Sequence, residues 1–392
     1  MDGSSSTSSK LALALKELFT ADDGDGKISA TELTRLLELL GKGALSKNEI
    51  GMVVKEMDKT NAGRIDVTEF IAWLLPRPAP SFGSPMKVLL TGASGLLGRQ
   101  IMALFPQRGW MLRGLAFSRT AGALVKCDLF NKEEVAAQFT DFRPDIVIHC
   151  AAERRPWKVN EDEEHAMKLN VDVTRTVGEL AKQHNAWLIY LSTNYIFDGK
   201  AAPYKEDAVP CPVNVYGQSK LDGEKVLAEA HPGAAILRVP LLYGPVEKLE
   251  ETSVTGLMNI LVKPGPIKLD NWQERFPTNT EDLAMVMEAF CEARCQSGND
   301  KSSFSGIFHW QANQRQTQYL MGMVVAEIAG LDTSNVTRID DAPPPGPIVR
   351  PQYERMLCPR LESLLSSNGY QPDSFRSDFK TCLARYLKPH LV

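Results

Sequence analysis

Between Leu11 and Leu74 the apolar positions recur at helical spacing: Leu11, Leu15, Leu18 and Phe19; Leu33, Leu36, Leu37 and Leu40; Val53, Val54 and Met57; Phe70, Ile71 and Leu74. This predicts two helix pairs, each bracketing a polar loop, "DDGDGKISATEL" and "DKTNAGRIDVTEF". From residue 86 the pattern changes to short apolar runs ("MKVLL", "MLRGLAFSR", "LVKCDL", "DIVIHCAA", "AWLIYLSTNYIFDG") alternating with helical stretches, the signature of a parallel sheet in an α/β domain. Between the two lies "LLPRPAPSFGSP", whose prolines cannot continue a helix. The expected organisation is a Ser-rich flexible tail (1–9), an all-α helix-loop-helix pair (10–75), a linker (76–85) and an α/β domain (86–392). The last should be a doubly wound Rossmann sheet of roughly seven parallel strands with helices on both faces. The chain beyond about residue 240 is expected to supply a smaller lobe, with "DDAPPPGPIVRPQ" as a rigid loop that faces either the cleft or solvent.

Both polar loops resemble EF-hands, which take oxygen ligands at positions 1, 3, 5, 7, 9 and 12 around a glycine at 6. Gly26 and Glu32 set the first register: Asp23, Asp25, the Lys27 carbonyl, Ser29 and Glu32 are candidate metal ligands, while position 1 falls on Ala21. In the second, Asp58, Thr60, the Arg64 carbonyl, Asp66 and Glu69 fit around Gly63, while position 5 is Ala62. Ser46 and Glu49 read as a capping box between the loops. Ile28 and Ile65 both occupy position 8, where paired loops join as a short β-ribbon. The fold signal is therefore strong. Calcium stays open against a helical pair kept for docking, because each loop lacks one side-chain oxygen.

Composition narrows the function classes. A chain of 392 residues exceeds what one core usually fills, so more than one domain is expected. With 43% hydrophobic residues, 23% charged and a net charge of -4, it has no basic footprint for nucleic acid and no apolar run long enough to span a bilayer. Seven scattered cysteines without C-x-x-C suggest neither a disulfide framework nor zinc. The opening "MDGSSSTSSK" has neither a secretory nor an organellar pattern, so the cytoplasm is the expected compartment. His149, inside an apolar run, reads as a hydrogen-bonded core residue.

In "LLTGASGLLGRQ" the glycines Gly92, Gly95 and Gly98 follow a buried strand and open a helix. Without Cβ atoms the backbone can approach a pyrophosphate, whose charge then sits on N–H groups at the helix N-terminus. Near the end of the next strand, where NAD-binding forms place an acid on the ribose, stand Ser118 and Arg119. A guanidinium matches a 2′-phosphate, so NADP(H) is favoured over NAD. Asp128 and Leu129 suit the adenine edge, and the small residues ending "DIVIHCAA" let a cofactor pass.

A later buried strand ends at Ser192 and Thr193, and Tyr216 and Lys220 follow four apart in "VYGQSKLDGEK". On one helix face the ammonium can lower the phenol pKa and hold a ribose, while a strand-end hydroxyl polarises a carbonyl. Thr193, Tyr216 and Lys220 are thus the candidate catalytic triad of a dehydrogenase-type site.

From residue 86 to about 375 the chain resembles the extended short-chain dehydrogenase/reductases, in particular the dTDP-4-dehydrorhamnose reductase (RmlD-like) branch. The stretches "HCAAERRP", "YGQSKLDGEK", "LLYGPVEKLEE", "WQERFPT" and "GIFHW" are similar to the regulatory β subunits of methionine adenosyltransferases. The resemblance implies NADP binding with little turnover, and assembly with a methionine adenosyltransferase catalytic subunit to tune S-adenosylmethionine synthesis. By motif position it implies nucleotide contacts at Ser94, Gly95, Leu96, Leu97, Phe117, Ser118, Arg119, Asp128, Leu129, Cys150, Arg154, Tyr216, Lys220 and Leu242. Two departures stand out: the C-terminal "LARYLKPHLV" is shorter than the tail those subunits use, and the EF-hand pair is an addition. The alternatives are a working NADPH-dependent reductase of a 4-keto nucleotide sugar and a calcium-dependent scaffold with a vestigial pocket. "AAERRP", and Asn194 where those reductases usually carry aspartate, favour the regulatory reading.

Overall fold

The computed structural model describes residues 27–29, 31–34, 64–66 and 85–391, apart from 121, 299, 300, 345 and 347. The chain divides into two compact units, residues 1–81 and 82–392. In the first, β1 (Lys27–Ser29) pairs antiparallel with β2 (Arg64–Asp66), and Ile28 stands opposite Ile65 as the loop register predicts. Ser29 and Glu32 form a reciprocal cap at the entry to the helical stretch 31–34. The Glu32 carboxylate accepts from the Ser29 N–H at 2.9 Å and its hydroxyl at 2.6 Å, and the Glu32 N–H donates to Ser29 Oγ at 3.2 Å. Among the candidate metal ligands, Asp23, Asp25, Asp58, Thr60 and Glu69 lie outside the described residues.

The second unit is built on β3 (Lys87–Thr91), β4 (Met111–Ala116), β5 (Val125–Lys126), β6 (Ile146–His149), β7 (Trp187–Thr193), β8 (Ala235–Val239) and β12 (Gly306–His309), the strands β9 to β11 lying elsewhere in the unit. They form one seven-stranded sheet in the order β12-β8-β7-β6-β3-β4-β5, and every neighbour pair in it is parallel. The strands read as near-continuous apolar runs because both faces are covered. On one face Val88, Leu90, Ile146, Ile148, Ile189, Leu237 and Phe308 pack under α1 (Leu96–Gln107), α5 (Thr280–Gln296) and α7 (Pro359–Ser367). On the other, Leu89, Leu115, Val147, Leu188 and Ile236 pack under α2 (Lys132–Phe142), α3 (Val173–Gln183) and α4 (Val215–Ala230). Successive residues of one strand serve opposite faces, which is the strand period of two expressed as two cores. The caps are set locally: the side chains of Asn131 and Asn214 accept first-turn N–H groups of α2 and α4.

A smaller core gathers Tyr243, Leu257, Leu269, Met321, Val325, Phe379, Leu383 and Leu387. It holds the two-stranded pairs β9 (Leu242–Tyr243) with β11 (Thr278–Asn279) and β10 (Ile267–Asp270) with β13 (Val336–Ile339), together with α6 (Gln318–Ala329) and α8 (Phe379–Leu387). The chain beyond residue 240 is therefore not all lobe: α5, β12 and α7 return to the main sheet. No described helix is long and apolar enough to cross a membrane.

Candidate functional site

Because the seven strands are parallel, their C-terminal ends share one edge, and the strand order reverses direction between β3 and β6. That is where ligands enter open α/β sheets. The glycine turn occupies this switch point. Gly92 sits at φ +69°, and a Cβ on it would lie 2.8 Å from the Ala151 backbone nitrogen just past β6. A Cβ on Gly98 would meet the Gly92 carbonyl oxygen at 2.2 Å, so helix and turn can close only with glycine there. Gly95 caps α1 without a side chain, leaving the first-turn N–H groups of Leu96 and Leu97 uncapped by any side-chain oxygen of that residue. The cradle fits a pyrophosphate: backbone donors, a helix N-terminus and no Cβ in the way. Gly98→Ala is expected to weaken dinucleotide binding about tenfold and cost about 2 kcal/mol through overpacking, read by NADP titration and thermal melting.

The remaining sequence-derived residues fall around this turn in different ways. Leu97 is 4% exposed and belongs to the core, so it can offer a ligand only its backbone. Phe117 stands 59% exposed at the end of β4, next to Ser118 and Arg119. Asp128 closes its own turn, accepting from the Phe130 N–H at 3.0 Å, and Leu129 packs partly into the second-face core. Cys150 follows β6, and burial pushes its thiol up to about 12. Leu242 lies in β9, against the first-face core. Ser94 offers its carbonyl to Arg99 at 3.2 Å.

Thr193 ends β7, and Tyr216 and Lys220 lie one turn apart on α4. The Tyr216 ring meets Tyr195 edge-on at 5.8 Å. Burial pushes the Tyr216 phenol up to about 12, while the nearby Thr193 hydroxyl and Arg154 guanidinium pull the other way. Lys220 is 2% exposed, its Nζ 4.0 Å from the centroid of the Tyr190 ring, and burial brings its amine down to about 7 against the Glu224 carboxylate. Arg154 is thus a cation that acts on Tyr216, and Lys220, one turn along the same helix, is buried against Tyr190. At neutral pH Tyr216 is a protonated phenol, able to donate to a carbonyl or ribose oxygen.

Three polar groupings at this edge escape sequence reasoning. Glu224 joins Arg238 in a buried bidentate pair (2.9 and 2.7 Å), with the Ser192 hydroxyl donating at 2.5 Å. Arg99, Arg119 and Arg154 all reach the segment 245–251. Arg99 Nη2 lies 2.6 Å from Glu251 Oε2, Arg119 Nη1 3.1 Å from Glu251 Oε1 and 3.3 Å from Glu247 Oε2, and Arg154 donates to the Glu251 carbonyl at 2.6 Å. Beside Thr193, the Asn194 amide donates to the buried Glu354 carboxylate at 2.8 Å; Gln273 also donates to Glu354 and in turn accepts from Arg275 at 2.5 Å. Arg350 is exposed, but its charge acts on Glu354, which ties the Pro-rich loop to this cluster. The signal available was the acidic pair four apart in "VEKLEE", yet nothing local says which cations it meets. His149 is the core residue expected, with Thr91 Oγ1 at 2.6 Å and Thr174 Oγ1 at 3.1 Å.

The fold and this edge define a class, and the class has a family. Residues 86–388 match the family described as RmlD substrate binding domain, and the chain belongs to it. Residues 24–75 match the EF-hand domain pair. Among individual proteins, the chain is similar to methionine adenosyltransferase 2 subunit beta of Pongo abelii, 40% identical over 279 residues, 71% of this chain and 82% of that one. The Mus musculus subunit is 38% identical over 307 residues, 78% of this chain and 88% of that one. A solved dTDP-4-dehydrorhamnose reductase from Clostridium acetobutylicum, 25% identical, superposes with a TM-score of 0.64 over 78% of this chain and all of that one.

Proposed function

We propose that this protein is a regulatory subunit of methionine adenosyltransferase: its second unit binds NADP(H) and assembles with the catalytic subunit, modulating S-adenosylmethionine synthesis in the cytoplasm. The observation that carries this reading is the similarity to methionine adenosyltransferase 2 β subunits across 82–88% of their length. The site is consistent with binding in preference to turnover. The glycine cradle and Arg119 suit a phosphorylated dinucleotide, whereas burial leaves Tyr216 holding its proton and Lys220 with its amine pushed down. In this reading Gly92, Gly95 and Gly98 take the pyrophosphate, Phe117 to Arg119 with Asp128 and Leu129 the adenosine end, and Cys150, Arg154, Tyr216, Lys220 and Leu242 the nicotinamide end. Calcium at the EF-hand pair would add a second input, held by the loop oxygens that include the Lys27 and Arg64 carbonyls and Glu32.

Phe379, Cys382, Leu383, Tyr386 and Leu387 are core residues of the lobe, so a tail that engages the catalytic subunit starts no earlier than Lys388. The test mixes the full-length protein with a methionine adenosyltransferase catalytic subunit at fixed NADP, following co-elution and S-adenosylmethionine formation with and without calcium. A stable complex with altered activity is the expected result, and removal of residues 388–392 should weaken it while leaving the lobe folded. Separate elution with unchanged activity overturns the reading. The retained Thr193 and Tyr216 then make NADPH oxidation against 4-keto nucleotide sugars, with Tyr216→Phe as control, the next assay.

A further inference from the structure

Arg119, at the end of β4, and Arg99, one residue past Gly98 on α1, flank the position where a dinucleotide of this fold carries its adenosine ribose. Neither guanidinium faces open solvent alone. Glu251 takes Arg99 through both carboxylate oxygens, at 2.6 and 3.2 Å, and shares Oε1 with Arg119 at 3.1 Å. Glu247 adds a second carboxylate, 3.3 Å from Arg119 and 3.9 Å from Arg99, and its own N–H donates to Glu251 Oε2 at 3.1 Å. The segment is anchored from below as well. Arg99 donates to the Pro245 carbonyl at 3.3 Å, and Arg154, from the loop after β6, donates to the Glu251 carbonyl at 2.6 Å. Cations from α1 and from the loops after β4 and β6 thus converge on one acidic segment, and against its burial Arg99 and Arg119 hold the Glu251 carboxyl below the usual carboxylate range.

A 2′-phosphate carries close to two negative charges and, to reach Arg119, must share it with or take it from these two carboxylates. NAD carries a hydroxyl there and meets no such opposition. We propose that Glu247 and Glu251 set the selectivity of this site between NADP and NAD by competing with the 2′-phosphate for Arg119 and Arg99. The inference rests on the reading of the glycine turn as a dinucleotide site. It assigns the "VEKLEE" segment a role as an internal anion in the place of the phosphate, so that NADP affinity is held below what two free arginines would give. Like charges a few ångströms apart at a half-exposed site interact strongly enough to move affinity by an order of magnitude.

The experiment titrates the full-length protein with NADP and, separately, NAD, comparing wild type with Glu251→Gln and Glu247→Gln by calorimetry. Glu251→Gln is expected to tighten NADP about tenfold and to change NAD less than about twofold; Glu247→Gln, whose side chain is 59% exposed, should act in the same sense by about threefold. The NADP/NAD ratio therefore rises in both variants. An unchanged ratio in the exposed Glu247→Gln, or a fall in NADP affinity in Glu251→Gln with the melting temperature preserved, overturns the inference: the carboxylates would then be organising the arginines for the phosphate. Wild-type protein that binds neither nucleotide overturns the dinucleotide reading itself, and this inference with it.

Discussion

Arg238→Met is expected to destabilise the second unit by about 3–5 kcal/mol, because it leaves the Glu224 carboxylate buried without its guanidinium. Arg238 is 1% and Glu224 4% exposed, and the pair is bidentate within the helix-sheet contact between α4 and β8. The Ser192 hydroxyl would remain as a donor, and Lys220, one helical turn from Glu224, would remain as a cation beside it. Methionine has nearly the right volume, so a cavity contributes little and the cost is one of charge. In a thermal melt of the full-length protein the transition of this unit should fall by roughly 10 °C. Adding Glu224→Leu should recover more than half of the loss, since removing both partners of a buried pair is far less costly than removing one. A single variant melting within about 2 °C of wild type would overturn the assignment.

The second large effect is one of pH, and it comes from buried groups of opposite kinds. Burial pushes the Glu354 carboxyl up to about 7, against Arg275, Arg350 and the amides of Asn194 and Gln273, and pushes Asp282 up to about 6. Between the ordinary carboxylate range and these values the folded state holds protons the unfolded chain has released, so their contribution improves as pH falls from about 7 to about 4.5. His149 and His309 are held down at about 3 by burial. Below about 6.5 the unfolded chain takes up protons that these rings refuse, so stability falls with pH through the same window. The two effects oppose each other down to about pH 4.5; below it only the loss continues. Wild type should therefore melt at nearly constant temperature between pH 7 and 5 and collapse steeply at lower pH. Glu354→Gln removes one compensating group. Relative to wild type it should gain up to about 3 kcal/mol between pH 4.5 and 8, whatever constant cost its amide carries. Melting curves of both proteins across this range decide the matter, and a difference independent of pH would show that the Glu354 charge is not linked to folding.

How far the sequence alone could see depends on the distance over which each feature is built. The sheet was legible because each strand is a local apolar run and the stretches between the strands carry helical spacing, and the Gly92–Gly98 turn because three glycines and a helix start lie within a few residues. The β1–β2 ribbon followed from loop register alone. What was not legible is held by pairs far apart in the chain: Arg99 with Glu251 is a separation of 152 residues, and Asn194 with Glu354 of 160. Helical spacing put Tyr216 and Lys220 together correctly but could not tell that Lys220 sinks against Tyr190. Motif position marked Leu97 as a nucleotide contact, whereas its side chain belongs to the core. The run "GIFHW" was legible only as part of a family resemblance; that it forms a strand of the main sheet is decided by β8, about seventy residues earlier in the chain.

The two faces of the sheet will be completed on different schedules as the chain leaves the ribosome. The face under α2, α3 and α4 is covered by helices that lie between the strands they protect, so it can close as soon as β8 emerges. The opposite face keeps Val88, Leu90, Ile146, Ile148 and Ile189 waiting for α5 and α7, and its core includes Phe375, well over a hundred positions after β8. That apolar surface stays unsealed long after β8 has emerged, until α7 and Phe375 are synthesised, which makes it the natural site for chaperone engagement during synthesis. It also makes any C-terminal truncation that reaches α7 an aggregation hazard and not a milder version of the same protein.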